Sequence, residues 1–488
     1  MKFNPLIKNK FISTVIGTLA LFIGGGFIFP ISNFSVYITS YIHLRYPSIT
    51  MHYGMFINLI FSFMNTFSHP IGGYLENILG FRKTILFGFI ILFIGNLFFI
   101  FQQNIWLCYS LIIILGFGLG IGTSLLGKNI TFYYPSKKGI ISGLMGIGIL
   151  FIAGSFALTG EKIIAYGGYT LKKGEKFYPD YISNRTYIYF MMGEFFIPIG
   201  LILGLLLIYE YKPEYSQERN LDLENKIDGK TQSDISTKEN VSNSNQNQLQ
   251  KENSKKNVKH ALKTLRFWRL SLISFFINFT ISFMINTSRT FGALIGINGS
   301  ALQFSAIFQA IALIIIGPIL GILVDKKGPL FILRIISINS IIPCVLLTFF
   351  MDKTLIFIIS SIINVINITG LMVSFGSFIM EVYGIQESVI LGGIINGFSK
   401  IGEIITTVAA FIFSLKYEEV NELKKPYRIM YIISAICCSI SSFLLFIETI
   451  EKFNYKSQLI EESLNSFEMK KVDFGVNDSM KKEKTNNI

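Results

Sequence analysis

Apolar runs of about twenty residues follow one another along nearly the whole chain, and in each a helix is the conformer that satisfies its own backbone. The runs centre near residues 23, 61, 93, 116, 149, 198, 277, 312, 343, 366, 401 and 438, which makes about twelve spans of bilayer-crossing length. Charged residues make up only 15% of the 488, where a soluble domain carries about 25%. The expected fold class is an all-α integral membrane protein.

The net charge of +13 is concentrated in loops and tails, where it orients the chain and meets anionic lipid heads rather than nucleic acid. Cys108, Cys344, Cys437 and Cys438 all fall inside spans, so packing rather than disulfide or zinc chemistry is expected of them. The lysine-bearing start (Lys2, Lys8, Lys10) opens like a signal peptide, but the run behind it is too long and too glycine-rich. It is read as the first span, about Phe11 to Ser40, with Pro30 as a kink.

From Tyr211 the chain is charged and rich in Asn, Gln and Ser, a composition that cannot bury a core. The organisation expected is a six-helix half at 1–210, a disordered cytosolic linker at 211–263, a second six-helix half at 264–452 and a disordered cytosolic tail at 453–488. The halves echo one another. Gly73-x-Leu75-x-Asn77-x-x-Gly80 in the first returns as Gly321-x-Leu323-x-Asp325-Lys326-x-Gly328 in the second, each between the second and third spans of its half. Internal repetition of this kind is a mark of transporter folds. The N-terminus, Arg82/Lys83, Lys137/Lys138, the linker, Lys326/Lys327 and the tail share one side, and the positive-inside rule puts both termini in the cytosol. The loops at 161–185 and 416–428 on the other side are also basic, though they hold acids too. Asn184-Arg185-Thr186 there is a glycosylation triplet.

The run from about Val389 to Phe413 holds LGGIINGFSKIGE at Leu391–Glu403. Lys400 lies roughly 16 Å into it at the helical rise, near the middle of a hydrocarbon slab of roughly 30 Å. An ammonium there costs about 2.5–3.5 kcal/mol on insertion scales, so it faces a water-filled cavity or a partner. Gly392, Gly393, Gly397 and Ser399 let neighbouring helices close around it. Two readings stay open: Lys400 anchors a solute pathway, or it pairs with Glu403, three residues on along the same face. Asn33 and Asn396 are further candidate substrate-binding amides, Asn33 being equally suited to an interhelical hydrogen bond. Glu403 is the candidate for proton coupling or, as readily, a static partner of Lys400. Lys128 is expected to snorkel at the interface, and Glu194 to be reached from the far side.

The two halves, the linker and the repeated loop resemble the major facilitator superfamily, whose loop reads Gly-x-Leu-x-Asp-Arg/Lys-x-Gly-x-Arg/Lys. The resemblance implies two pseudo-symmetric halves of six helices. It also implies gating roles for Gly73, Asn77, Gly80, Arg82, Gly321, Asp325, Lys326 and Gly328. Asn77 stands where the family has an acid, which puts a charge-based lock in the first half in question; Glu76 is adjacent. FYYPSKKG at Phe132–Gly139 with the glycines behind it, TLRFWRLSLISFF at Thr264–Phe276, and GFSKIGE around Lys400 look most like the oxalate:formate antiporter branch and its monocarboxylate-porter relatives. There the lysine matching Lys400 binds substrate carboxylate. The antiporter's second cation would fall on Gly317, which is not charged; Arg289, at the end of the seventh span, is the alternative cation, although solvent or headgroups are its expected surroundings. One positive charge suits one carboxylate, so a monocarboxylate is favoured over oxalate.

The expected function is thus secondary transport of a small organic anion by alternating access, with protons as a candidate coupling ion. The alternatives are a facilitator for amino acids or another neutral or zwitterionic solute, and a non-transporting sensor on the same fold. No catalytic residue, metal or cofactor is expected. GFGLGIG at 116–122 reads as helix packing, not a phosphate loop, which disfavours ATP-driven transport. The partners expected are the anion, membrane lipids and protons, with a monomer as the working unit.

Overall fold

The computed structural model describes residues 5–50, 53–134, 137–166, 177–211, 258–294, 299–416, 422 and 424–451. Most of the expected linker and all of the expected tail lie outside these, as do the side chains of Asn33 and Arg289. Among the described residues all regular secondary structure is helical. The first half comprises α1 (Pro5–Gly26), α2 (Ile31–His43), α3 (Gly54–Leu79), α4 (Phe81–Phe99), α5 (Ile105–Thr123), α6 (Leu126–Tyr133), α7 (Lys138–Ile164), the short α8 (Asp180–Ser183) and α9 (Thr186–Leu207). The second comprises α10 (Leu265–Leu294), α11 (Gly299–Lys327), α12 (Pro329–Asn339), α13 (Ile341–Phe350), α14 (Thr354–Gly384), α15 (Glu387–Phe413) and α16 (Lys424–Glu451). Both halves fall in one compact unit, Met1–Ser441; a second unit is Ser442–Ile488.

Among the described residues nine helical stretches are long and apolar enough to cross a membrane. The runs near 23, 61 and 312 are helical as well, as α1 with α2, α3 and α11. In α3 the hydropathy is diluted by polar side chains, among them Asn58, Ser62, Asn65, Thr66, Ser68 and His69. The first span is not one kinked helix but two. The chain leaves α1 through turns closed by Ile28 N–H to Gly25 O and Phe29 N–H to Gly26 O, and Pro30 stands as the N-cap of α2. A helix also begins earlier than the expected linker boundary, at 258–262, where Leu262 O accepts from Trp268 Nε1 at 3.1 Å.

Packing within the first half relies on close backbone approach, as expected where lipid removes the hydrophobic drive between helices. A Cβ on Gly88 of α4 would lie 2.4 Å from Gly122 N of α5, and one on Gly200 of α9 would lie 2.5 Å from Gly24 Cα of α1. Fully buried Phe27, Phe34, Phe89, Phe99 and Phe190 fill the space between these contacts. Asn104 starts α5, its side chain accepting from Leu107 N–H at 2.8 Å.

The repeated loop has one backbone geometry in both copies. Gly80 at φ 85, ψ 164 separates α3 from α4, and Gly328 at φ 89, ψ 153 separates α11 from α12. Both lie in the left-handed region that only glycine enters freely. Pro329 follows at the first helical position, where its missing N–H costs nothing. Gly384, at φ 83 and ψ 161, makes the same break between α14 and α15.

Candidate functional site

The halves meet along two antiparallel helix pairs, α3 with α15 and α7 with α11. The first seam is continuous. At one end the Cβ position of Gly73 lies 3.0 Å from the side chains of Val389 and Ile390, and one turn on Gly393 would place a Cβ 2.6 Å from Pro70 Cδ. At the other end Phe411 packs edge-on against Phe56 and Tyr53, with ring centroids 4.9 and 6.2 Å apart.

Lys400 stands at the midpoint of α15, within this seam. Its Nζ donates to Glu403 Oε2 and to Ser62 Oγ, both at 2.6 Å, and Ser62 Oγ in turn donates to Glu403 Oε2 at 3.4 Å. The side chains of Lys400 and Glu403 are 19% and 5% exposed, so both charges are largely removed from water. A closed trio of this kind supplies polar partners to both charges at mid-span. The internal pairing with Glu403 is present, and it includes a hydroxyl from the opposite half. Beside the trio, the Cβ position of Gly397 has no atom within 4 Å, which leaves open space one turn from Lys400 on the same face. Asn396 lies on that face too, and its carbonyl accepts from Ser399 Oγ.

The second seam carries the repeated loop. Asp325 accepts from the backbone N–H of Gly139 at 2.7 Å and of Ile140 at 3.0 Å, so one carboxylate of the second half caps the first turn of α7 in the first. Those amides are unsatisfied within their own helix and sit at its positive end. Close contact is possible because the seam is glycine: a Cβ on Gly139 would lie 2.6 Å from Gly321 O, and one on Gly143 would lie 2.9 Å from Gly317 O. Gly317, where the antiporter-like pattern would put a cation, presents its backbone carbonyl to Gly143 across the seam. Lys138 Nζ, also on α7, lies 3.8 Å from Glu381 Oε2 of α14 in the opposite half.

The first copy of the loop is wired differently. Asn77 Nδ2 donates to Gly73 O within its own helix, and Glu76 pairs with Lys128 at 2.7 Å. Lys128 is therefore in an ion pair within the first half, 11% exposed, and does not snorkel. Arg82 donates to Ile208 O at 2.9 Å, closing the C-terminus of α9, while Lys326 is exposed. Of the eight residues expected to gate, Asp325, Gly321 and Gly73 touch the opposite half; Asn77 and Arg82 bond within their own. Glu194 faces α4, where its Oε1 accepts from Asn96 Nδ2 at 2.5 Å. Ser62 was not legible in the sequence, since a serine in an apolar helix is ordinary and nothing local marks its partner. The Asn184 side chain donates to Asp180.

The family model described as Major Facilitator Superfamily matches residues 11–407, and the chain belongs to that superfamily. Among solved structures the chain is similar to the human organic anion transporter MFSD10 (TETRAN), at 11% identity and a TM-score of 0.56, over 91% of this chain and 100% of that one. It is similar to the transporter FucP in its outward conformation, at 14% and 0.57, over 88% and 99%. It is also similar to the proton:xylose symporter XylE bound to 6-bromo-6-deoxy-D-glucose, at 14% and 0.60, over 88% and 94%. No curated protein matches the sequence. Fold, membrane integration and membership of a transporter superfamily are thereby established.

Proposed function

We propose that this transporter carries a small organic anion, a monocarboxylate, by alternating access of its two halves around Lys400. The observation that carries the reading is the trio at mid-span: a largely buried ammonium held by one carboxylate and one hydroxyl, beside open space at Gly397. Protonation of Glu403 removes the anion that holds Lys400 and leaves the ammonium to take a substrate carboxylate, which couples cargo to protons. Asn396 and Asn33 serve as neutral donors to the rest of the cargo, and the termini lie on the cytosolic side with the basic loops. The likeness of three stretches to the oxalate:formate antiporter branch supports the monocarboxylate.

One observation favours a second cargo. The opposite charges of Lys400 and Glu403, 2.6 Å apart, match the two ends of an amino acid. Uptake of labelled lactate, pyruvate, formate, oxalate and amino acids into proteoliposomes, with and without an inward proton gradient, separates the two. Monocarboxylate uptake stimulated by the gradient and lost in Lys400→Gln is the expected result. Amino-acid uptake lost in both Lys400→Gln and Glu403→Gln selects the zwitterion.

A further inference from the structure

At the end of the bundle opposite the Gly80 and Gly328 loops, a groove of about 590 Å³ opens between the end of α7 and the start of α9. Its rim holds Lys162, Tyr166 and Arg185, and its walls Leu158, Ile163 and Ile188. The two helices repeat one layering. Leu158 lies one turn inward of Lys162 on α7, and Ile188 lies nearly one turn inward of Arg185 on α9, so a cation caps an aliphatic wall on each side at a depth of roughly 5–6 Å.

We propose that this groove binds an anionic phospholipid, with its phosphate between Lys162 and Arg185 and its acyl chain along Leu158 and Ile188. Neither cation has a carboxylate partner among the described residues. The Arg185 guanidinium instead lies 5.2 Å from the centroid of the Tyr166 ring, which fixes it at the rim. Arg185 is also the N-cap of α9, a start without a side-chain cap, so the first amides of that helix add to the positive end of the groove. The groove sits at the depth of headgroups: Tyr166, Tyr181 and Tyr187 are 73%, 59% and 47% exposed at this end, as a membrane-interface aromatic belt requires. Leu158, 61% exposed, continues the groove inward from Lys162, so an acyl chain has an apolar wall directly beneath the cationic rim. This site is independent of the cargo at Lys400.

The test uses the purified full chain, delipidated in detergent, with native mass spectrometry counting bound phosphatidylglycerol or phosphatidylcholine at equal concentration. Phosphatidylglycerol is expected to be preferred by about tenfold, and the double variant Lys162→Gln/Arg185→Gln to bring the ratio close to unity. Lys353→Gln, which removes an exposed cation at the same end of the second half, should leave the preference intact. Leu158→Asn keeps both cations and should weaken both lipids. Equal binding of the two lipids by the unaltered chain, or a preference that survives in the double variant, overturns the proposal. Displacement of phosphatidylglycerol by an equal concentration of inorganic phosphate makes this a free-anion site and overturns it too. Each single variant, at an exposed or half-exposed side chain, gives the same readout if the double variant does not fold.

Discussion

Ser62 and Lys400 stand 338 positions apart in the chain and 2.6 Å apart in the structure, the ammonium donating to the hydroxyl across the boundary between the halves. Any motion that opens α3 from α15 breaks this bond, so under the proposed function Ser62 competes with the cargo for Lys400. Hydrogen bonds to charged groups contribute about 1.5–3 kcal/mol. In Ser62→Ala the apparent KM for the cargo is expected to fall by up to about tenfold, while Lys400→Gln removes transport. An unchanged KM in Ser62→Ala, from initial-rate uptake, means that the serine is not in the path.

Asp325 closes the second seam with two bonds to backbone amides. Asp325→Asn removes the charge and sets an amide N–H against an amide N–H, weakening the closed arrangement by about 1–3 kcal/mol. A cysteine introduced at Ser142 on α7 should then be alkylated several-fold faster. Asn77→Ala should leave that rate unchanged, because Asn77 is bonded within its own helix.

Gly139 and Gly143 admit no side chain while the seam is closed. Gly143→Leu is expected to cut transport at least tenfold, in line with overpacking costs of about 1–3 kcal/mol. The variant should still insert and purify, because the clash is between the halves and not inside either one. Normal transport in this variant means that the seam observed here is not visited in the working cycle.

Gly80 and Gly328 test backbone strain alone, since a Cβ at either meets nothing within 4 Å. Alanine at each is expected to cost about 1–2 kcal/mol, read as a lower thermal unfolding midpoint in detergent. Asparagine should recover none of it, because φ 85 to 89 with ψ 153 to 164 lies outside the compact left-handed basin that asparagine tolerates.

Glu76 and Lys128 form a largely buried pair, 18% and 11% exposed. Removing one charge leaves the other desolvated, so Glu76→Gln should destabilise more than the double change Glu76→Gln/Lys128→Gln. A double-mutant cycle on unfolding midpoints measures the coupling. Additive effects would show that the pair is no more than a surface contact.

The spans and the duplicated loop could be read from the sequence because they are local: hydropathy sets one and a glycine-terminated pattern the other. The loop pattern located Gly80 and Gly328, and both have the positive φ that makes glycine necessary there. Gly384 repeats the same turn but was not seen, because MEVYG at 380–384 keeps the glycine and loses the Leu and Asp that flag it. The position of Lys400 was legible from the cost of a charge at mid-span, and its bond to Glu403 from helix spacing. Ser62 was not, because pairing between spans 338 residues apart leaves no trace in either helix. The break of the first span at Phe27–Pro30 was understated for a related reason. Proline signals a bend, but whether a bend becomes a gap depends on the α9 and α7 residues that fill it.

Where Gly139 and Gly143 meet Gly321 and Gly317, the α7–α11 seam is backbone against backbone. Such a joint parts without any rotamer having to change, and it re-forms without a search for register. At this joint the two bonds of one aspartate are directional contacts that opening must break. Substitution at that single position can retune how long the transporter dwells closed, leaving the rest of the membrane-embedded surface as it is.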